Sequence, residues 1–206
     1  MGLTCGLIGV LSSGKTTIFN ALTRSTAETA VFSSGRYETH TAVVDVPDLR
    51  VDRLSAMFNP KKTIYAKVTY ADIAGLESGS AKSGISGQLL NQLSQMDGFI
   101  LVVRGFENDL VMHPSGSVDA KRDVDSMLSE LLLNDLIAVE RKLERLADER
   151  KKGGGRDKAQ IEREIVLFER LHEALSADIA LRDVEISAEE EKTLSGFGLL
   201  TRKPVL

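Results

Sequence analysis

The chain has 206 residues, enough for one α/β domain with a buried core and room for an insertion. Its 42% hydrophobic and 27% charged residues are the balance of an ordinary globular protein, and a net charge of −4 gives no overall reason to expect direct DNA binding. The single cysteine excludes an internal disulfide, and no signal-peptide core or membrane-length apolar run is present, so a cytoplasmic protein with no membrane partner is expected.

The first strand is expected over Leu3 to Val10, with Cys5 as a small buried apolar residue inside it. It runs into Gly9-Val10-Leu11-Ser12-Ser13-Gly14-Lys15-Thr16, and Thr16 to Thr23 then reads as the first turns of a helix. Strand, Gly-x-x-x-x-Gly-Lys-Thr and helix in this order make a phosphate-binding loop. Its glycines let successive N–H groups turn inward around phosphate oxygens, and the helix N-terminus adds free donors and a positive dipole end. Leu11, Ser12, Ser13, Gly14, Lys15, Thr16 and Thr17 are therefore the expected nucleotide-binding residues. Lys15 supplies an ammonium to the terminal phosphates, which also gives it a catalytic part, and the Thr16 hydroxyl suits Mg²⁺.

Ser25 to Thr39 is polar and lacks periodicity, which predicts a loop. Thr39 and Thr41 are its available hydroxyls for a metal, and spacing does not choose between them. Thr41 to Val46 has strand character up to the Pro47-Asp48 turn, and Arg50 to Phe58 reads as a short amphipathic helix. Thr63 to Ala71 alternates in the manner of a strand and ends in Asp72-Ile73-Ala74-Gly75. Downstream of a phosphate-binding loop, that ending predicts Asp72 as a Mg²⁺ ligand and the Gly75 N–H as a sensor of the γ-phosphate. Ras-like proteins carry a water-orienting Gln at the next position; here it is Leu76, which forms no hydrogen bond through its side chain.

Gln88 to Met96 is expected to be helical, and Gly98 to Arg104 a central parallel strand. The loop Phe106 to Asp119 contains His113, the internal choice for a group that orients or deprotonates water. From Asp123 the pattern is helical, with a seam at Leu132, Leu136, Val139, Leu143 and Leu146. After the glycine-rich stretch Lys151 to Arg156 a second seam follows at Ile161, Ile165, Phe168, His172 and Leu175. Two such segments predict an antiparallel helical hairpin that offers a partner surface. Ser187 with Glu189 and Glu190 reads as an N-cap with an acidic first turn, and Thr201 to Leu206 begins a further strand.

These residues are collinear with a known pattern: Gly14-Lys15-Thr16-Thr17 with Phe19-Asn20-Ala21-Leu22-Thr23, Val46-Pro47-Asp48 with Arg50, and Pro60-Lys61-Lys62. Asp72-Ile73-Ala74-Gly75-Leu76, Val102-Val103-Arg104 with Phe106-Glu107, His113, Gly116-Ser117-Val118-Asp119, and Leu200-Thr201 with Lys203-Pro204 continue it. In these the chain resembles the YchF / Obg-like ATPase family along its whole length. The resemblance implies a Ras-like P-loop domain, a mostly parallel sheet with flanking helices, interrupted by an antiparallel coiled-coil arm. The expected division is 1–130 for the first part of the nucleotide domain, 131–180 for the arm, and 181–206 for the return helix and next strand. It further implies Mg²⁺-dependent binding and slow hydrolysis of ATP or GTP, ribosome association, and a hydrophobic residue in place of the catalytic Gln, in agreement with Leu76. The alternative is an interaction module that acts through the hairpin without significant hydrolysis. Departures are visible. The family's Leu-Pro-Asn-Val precedes Gly-Lys-Ser where Val10, Leu11, Ser12 and Ser13 stand here, and its switch threonine falls on Arg36 in an ungapped alignment. Its base-reading Asn-x-x-Glu motif would follow Leu206, so a divergent or truncated member is expected.

Overall fold

A computed structural model of the chain describes residues 2–24, 39–73, 85, 87–152 and 155–206. These divide into two compact units. One comprises Met1–Glu77, Met96–Ala120 and Val205–Leu206; the other comprises Ser78–Gln95 and Lys121–Pro204.

The first unit is built on four strands, β1 (Leu3–Ile8), β2 (His40–Asp45), β3 (Lys67–Asp72) and β4 (Gly98–Leu101), in the order β2-β3-β1-β4. β1 pairs in parallel with both β3 and β4, while β2 runs antiparallel to β3 at the edge. The sheet is therefore mixed, with a parallel centre. Phe99 forms an isolated parallel bridge with Val205 beside β4. Helix α1 (Lys15–Thr23) buries Phe19, which packs with Leu7 and Val102 and with the partly buried Ala42, Tyr70 and Ile100. Parallel pairing with crossover connections brings the C-terminal ends of β1, β3 and β4 to one edge of the sheet, where such folds bind ligands.

Two local readings need correction, those of the third strand and of Cys5. The third strand begins at Lys67 rather than Thr63: its ladder with β2 ends at the Asp45–Lys67 pair, with one further bond from the Val46 N–H to the Ala66 carbonyl, and Ile64 is exposed. Helix α2 (Leu49–Phe58) forms, capped by Asp48 accepting from the Arg50 N–H, yet it buries none of its residues; Leu49, Leu54, Met57 and Phe58 are all exposed. Cys5 is only partly buried; desolvation, with the Asp97 charge, raises its thiol pKa.

The second unit contains α3 (Gly87–Ser94), α4 (Ala120–Lys152), α5 (Lys158–Ser176), a 3₁₀ turn at Leu181–Asp183 and α6 (Ala188–Leu194). The contact Glu140–His172 at 3.5 Å and the ion pairs Lys142–Glu164 at 3.0 Å and Arg150–Glu162 at 3.7 Å join α4 and α5 in opposite sequence order. The seam is the unit's core: Val139, Leu146, Ile161, Ile165, Phe168, Leu171 and Leu175 are buried, with Leu132, Leu136 and Leu143 packed against them. His172 is half-exposed at its tip, as a polar residue in such a seam should be. Asp135 of α4, fully buried, accepts from the N–H groups of Leu200 (2.9 Å) and Thr201 (2.7 Å) and from the Thr201 hydroxyl (2.7 Å). Burial pushes its carboxyl pKa up, and these donors oppose the shift. Ser187 and Glu190 form a full capping box at the start of α6.

Candidate functional site

The site grows from the end of β1. Gly14 caps α1 with φ 98°, a left-handed conformation that an L side chain resists, and no side chain accepts from the helix's first N–H groups. These donors are left for an anion. Ser12 also lies left-handed, at φ 60°, and is exposed, while Leu11 and Gly14 are partly buried and Thr17 faces solvent. Gly9 is required for a different reason. A Cβ there would come within 2.2 Å of the Val102 carbonyl oxygen and 2.8 Å of Ser13 Oγ, so the loop packs against the chain leaving β4. Ser13 is buried, and its hydroxyl has no hydrogen-bond partner among the described residues.

Lys15 is buried with its ammonium turned back on the loop, donating to the carbonyls of Gly9 (3.0 Å) and Val10 (2.9 Å). Desolvation lowers its pKa from 10.5 to about 8, against an upward pull from the Asp72 carboxylate. Thr16, one residue on, donates its hydroxyl to Asp72 Oδ2 at 2.6 Å. The parallel register sets Asp72 opposite Leu7, with the Ile73 N–H bonded to the Leu7 carbonyl, so β3 delivers its terminal carboxylate to the loop after β1. Lys15, Thr16 and Asp72 thus meet, from positions 56 residues apart in sequence. Gly75 and Leu76, like Arg36, lie outside the described residues.

Thr41 pairs opposite Ala71 and is exposed, whereas Thr39 immediately precedes His40, the residue opposite Asp72. The Thr39 hydroxyl is buried without a hydrogen-bond partner among the described residues. Thr16 and Asp72 offer the hard oxygen donors that Mg²⁺ prefers, in a number that leaves positions for water and phosphate. The set fits the ion.

His113 lies in the loop after β4 and is buried rather than exposed. Its Nδ1 accepts from the Ser115 N–H at 3.1 Å and its carbonyl accepts from Gly116, whose φ of 77° closes the turn. The segment leading to it is organised by Arg104, a residue whose role the sequence did not disclose. Its buried guanidinium donates to the carbonyls of Phe106 (3.0 Å), Val111 (2.9 Å) and Asn108 (3.3 Å) and stacks 5.2 Å from the Phe106 ring centre. An arginine at the end of a buried strand, followed by a polar loop, is the only signal the sequence carried for it.

Comparison with known proteins agrees with this geometry. A model of the 50S ribosome-binding GTPase family matches residues 4–142. The chain is 35% identical to the ribosome-binding ATPase YchF of Bacillus subtilis and 36% identical to that of Escherichia coli O157:H7, in each case over all of this chain and 56% of the relative. It therefore spans little more than half the length of these relatives. The solved structure of the Schizosaccharomyces pombe YchF GTPase superposes on all of the chain and 55% of its own, with a TM-score of 0.74 at 28% identity. With its P-loop, its Asp72-bearing strand and the mixed sheet that joins them, the chain belongs to the 50S ribosome-binding GTPase family and is similar throughout to its YchF proteins.

Proposed function

We propose that this chain carries a Mg²⁺-dependent nucleoside-triphosphate site, for ATP or GTP, that hydrolyses slowly and serves a ribosome-linked switch in the cytoplasm. The convergence of Lys15, Thr16 and Asp72 on one glycine-framed loop carries this reading. The P-loop amides and the uncapped start of α1 bind the phosphates, and Lys15 exchanges the Gly9 and Val10 carbonyls for phosphate oxygens. Thr16 and Asp72 would hold the metal. Mg²⁺, when bound, neutralises charge on the transferring phosphoryl group. The Gly75 N–H senses the γ-phosphate.

Leu76 offers water no hydrogen bond, so its positioning falls to His113. Because Nδ1 accepts from Ser115, a neutral imidazole keeps its proton on Nε2. His113 then donates to the water or to a phosphate oxygen, orienting rather than deprotonating. The relatives' names divide between ATPase and GTPase, and the base-reading residues lie beyond Leu206 in the resemblance, so both nucleotides stay in the proposal. The ribosome enters through those names, with the paired helices α4 and α5 as its contact. Phosphate release under saturating Mg²⁺-ATP tests the whole: slow turnover is expected, abolished in Lys15→Ala and reduced at least tenfold in His113→Ala, and a rate unchanged in His113→Ala removes that residue from the mechanism.

A further inference from the structure

The loop from Gly105 to Met112 is unusual in both what it hides and what it shows. Arg104 beneath it is 2% exposed and spends its guanidinium on three of the loop's carbonyls, and Phe106 stacks on the same cation. The Leu110 N–H adds a bond to the Asn108 side chain at 3.0 Å. The backbone is therefore held from below. Its outward side chains are apolar: Leu110 is 90% exposed, Met112 86% and Phe106 57%. Between them stand the exposed carboxylates of Glu107 and Asp109. Fixing a loop in advance removes the ordering cost of binding, and bare large apolar side chains on it favour a partner that takes them out of water.

The charge selects the kind of partner. Glu107 and Asp109 would repel a phosphate backbone, and the one cation of the segment, Arg104, is buried under it. Nucleic acid is thereby disfavoured, and a protein surface with an apolar cleft rimmed by Lys or Arg is favoured. The root of the loop is the Val102 carbonyl that packs against Gly9 of the P-loop, and its far end is His113. A partner seated on the loop therefore sits on the element that joins the phosphate site to the proposed water-positioning residue.

The geometry points to Phe106, Leu110 and Met112 as a preformed docking element for a protein component of the ribosome, contacted through an apolar, basic-rimmed cleft. This rests on the ribosome reading proposed above and adds the surface and the chemistry of the contact. The test is co-sedimentation of the chain with purified 70S ribosomes, for wild type and for Leu110→Ser with Met112→Ser, whose exposed side chains leave the fold intact. Expected is about 30-fold weaker sedimentation of the double variant, the loss of two contacts of about 1 kcal/mol each, with ATP affinity and thermal midpoint unchanged. A benzophenone crosslinker at position 110 is expected to label a ribosomal protein. Equal sedimentation of the two chains overturns the docking element alone, as does the absence of any crosslink. A crosslink to ribosomal RNA overturns its protein chemistry. Failure of the wild-type chain to sediment with ribosomes refutes the ribosome reading and takes this inference with it.

Discussion

The lowered pKa of Lys15 makes nucleotide binding a proton-uptake reaction. With the amine titrating at about 8, roughly a tenth of the free protein lacks this proton at pH 7 and about nine-tenths lacks it at pH 9. Phosphate oxygens replacing the Gly9 and Val10 carbonyls restore the charged form. Binding at pH 9 then takes up about 0.9 proton and is about tenfold weaker than at pH 7, a difference of about 1.4 kcal/mol. The nucleotide's own phosphates, with a second pKa near 6, are already ionised through most of this range. Calorimetry in two buffers of different ionisation enthalpy, at both pH values, gives the uptake directly, and Lys15→Arg serves as a charged control that does not titrate. The same shift acts on stability. Between pH 8 and 10.5 the unfolded chain binds the proton that the folded chain has lost, so the nucleotide-free protein gains stability as pH rises through this window, by up to about 3 kcal/mol. Proton uptake below about 0.2 at pH 9, with an affinity equal to that at pH 7, would refute the placement of the buried amine.

Three substitutions probe the rest of the structure. Gly9→Ala drives a Cβ into the Val102 carbonyl, and a loss of about 2 kcal/mol or more in urea unfolding is expected, together with loss of nucleotide affinity; wild-type binding would show that the loop and β4 are not packed as described. Ser13→Ala removes a buried hydroxyl that has no partner among the described residues, so it should stabilise the free protein by about 1 kcal/mol, and a destabilisation of that size would contradict the assignment. Asp135→Ala strands the buried donors of Leu200 and Thr201, and should cost about 3 kcal/mol in chemical denaturation; a cost under about 1 kcal/mol would show that the carboxylate does not hold this segment.

Local chemistry was legible in the sequence where one residue type has one use. Gly14, Lys15 and Thr16 announced their loop, Ser187 and Glu190 announced a cap, and the seam of Val139, Leu146, Phe168 and Leu175 announced paired helices. Pairing was not legible, because register is a relation between distant segments. No spacing near Thr39 or Thr41 reveals that His40 stands opposite Asp72. The same holds for Gly9 and Val102, and for Asp135, whose partners lie 65 and 66 residues away. Helix α2 shows a different limit: periodicity predicts an amphipathic helix, which forms, but states only which side chains share a face and says nothing of whether anything covers that face. The use of Arg104 is hidden for a third reason, since a guanidinium that bonds main-chain carbonyls has no partner side chain for a sequence to show.

The proposed switch depends on phosphate and metal binding at Lys15, Thr16 and Asp72. Titration of the chain with ATP and GTP, in Mg²⁺ and in EDTA, measures this most directly when Thr16→Ala and Asp72→Asn are run beside wild type. At least one nucleotide is expected to bind the wild-type chain about tenfold or more tightly with Mg²⁺, and both variants should lose that metal dependence. No heat with either nucleotide, or the same metal dependence in all three proteins, would contradict it.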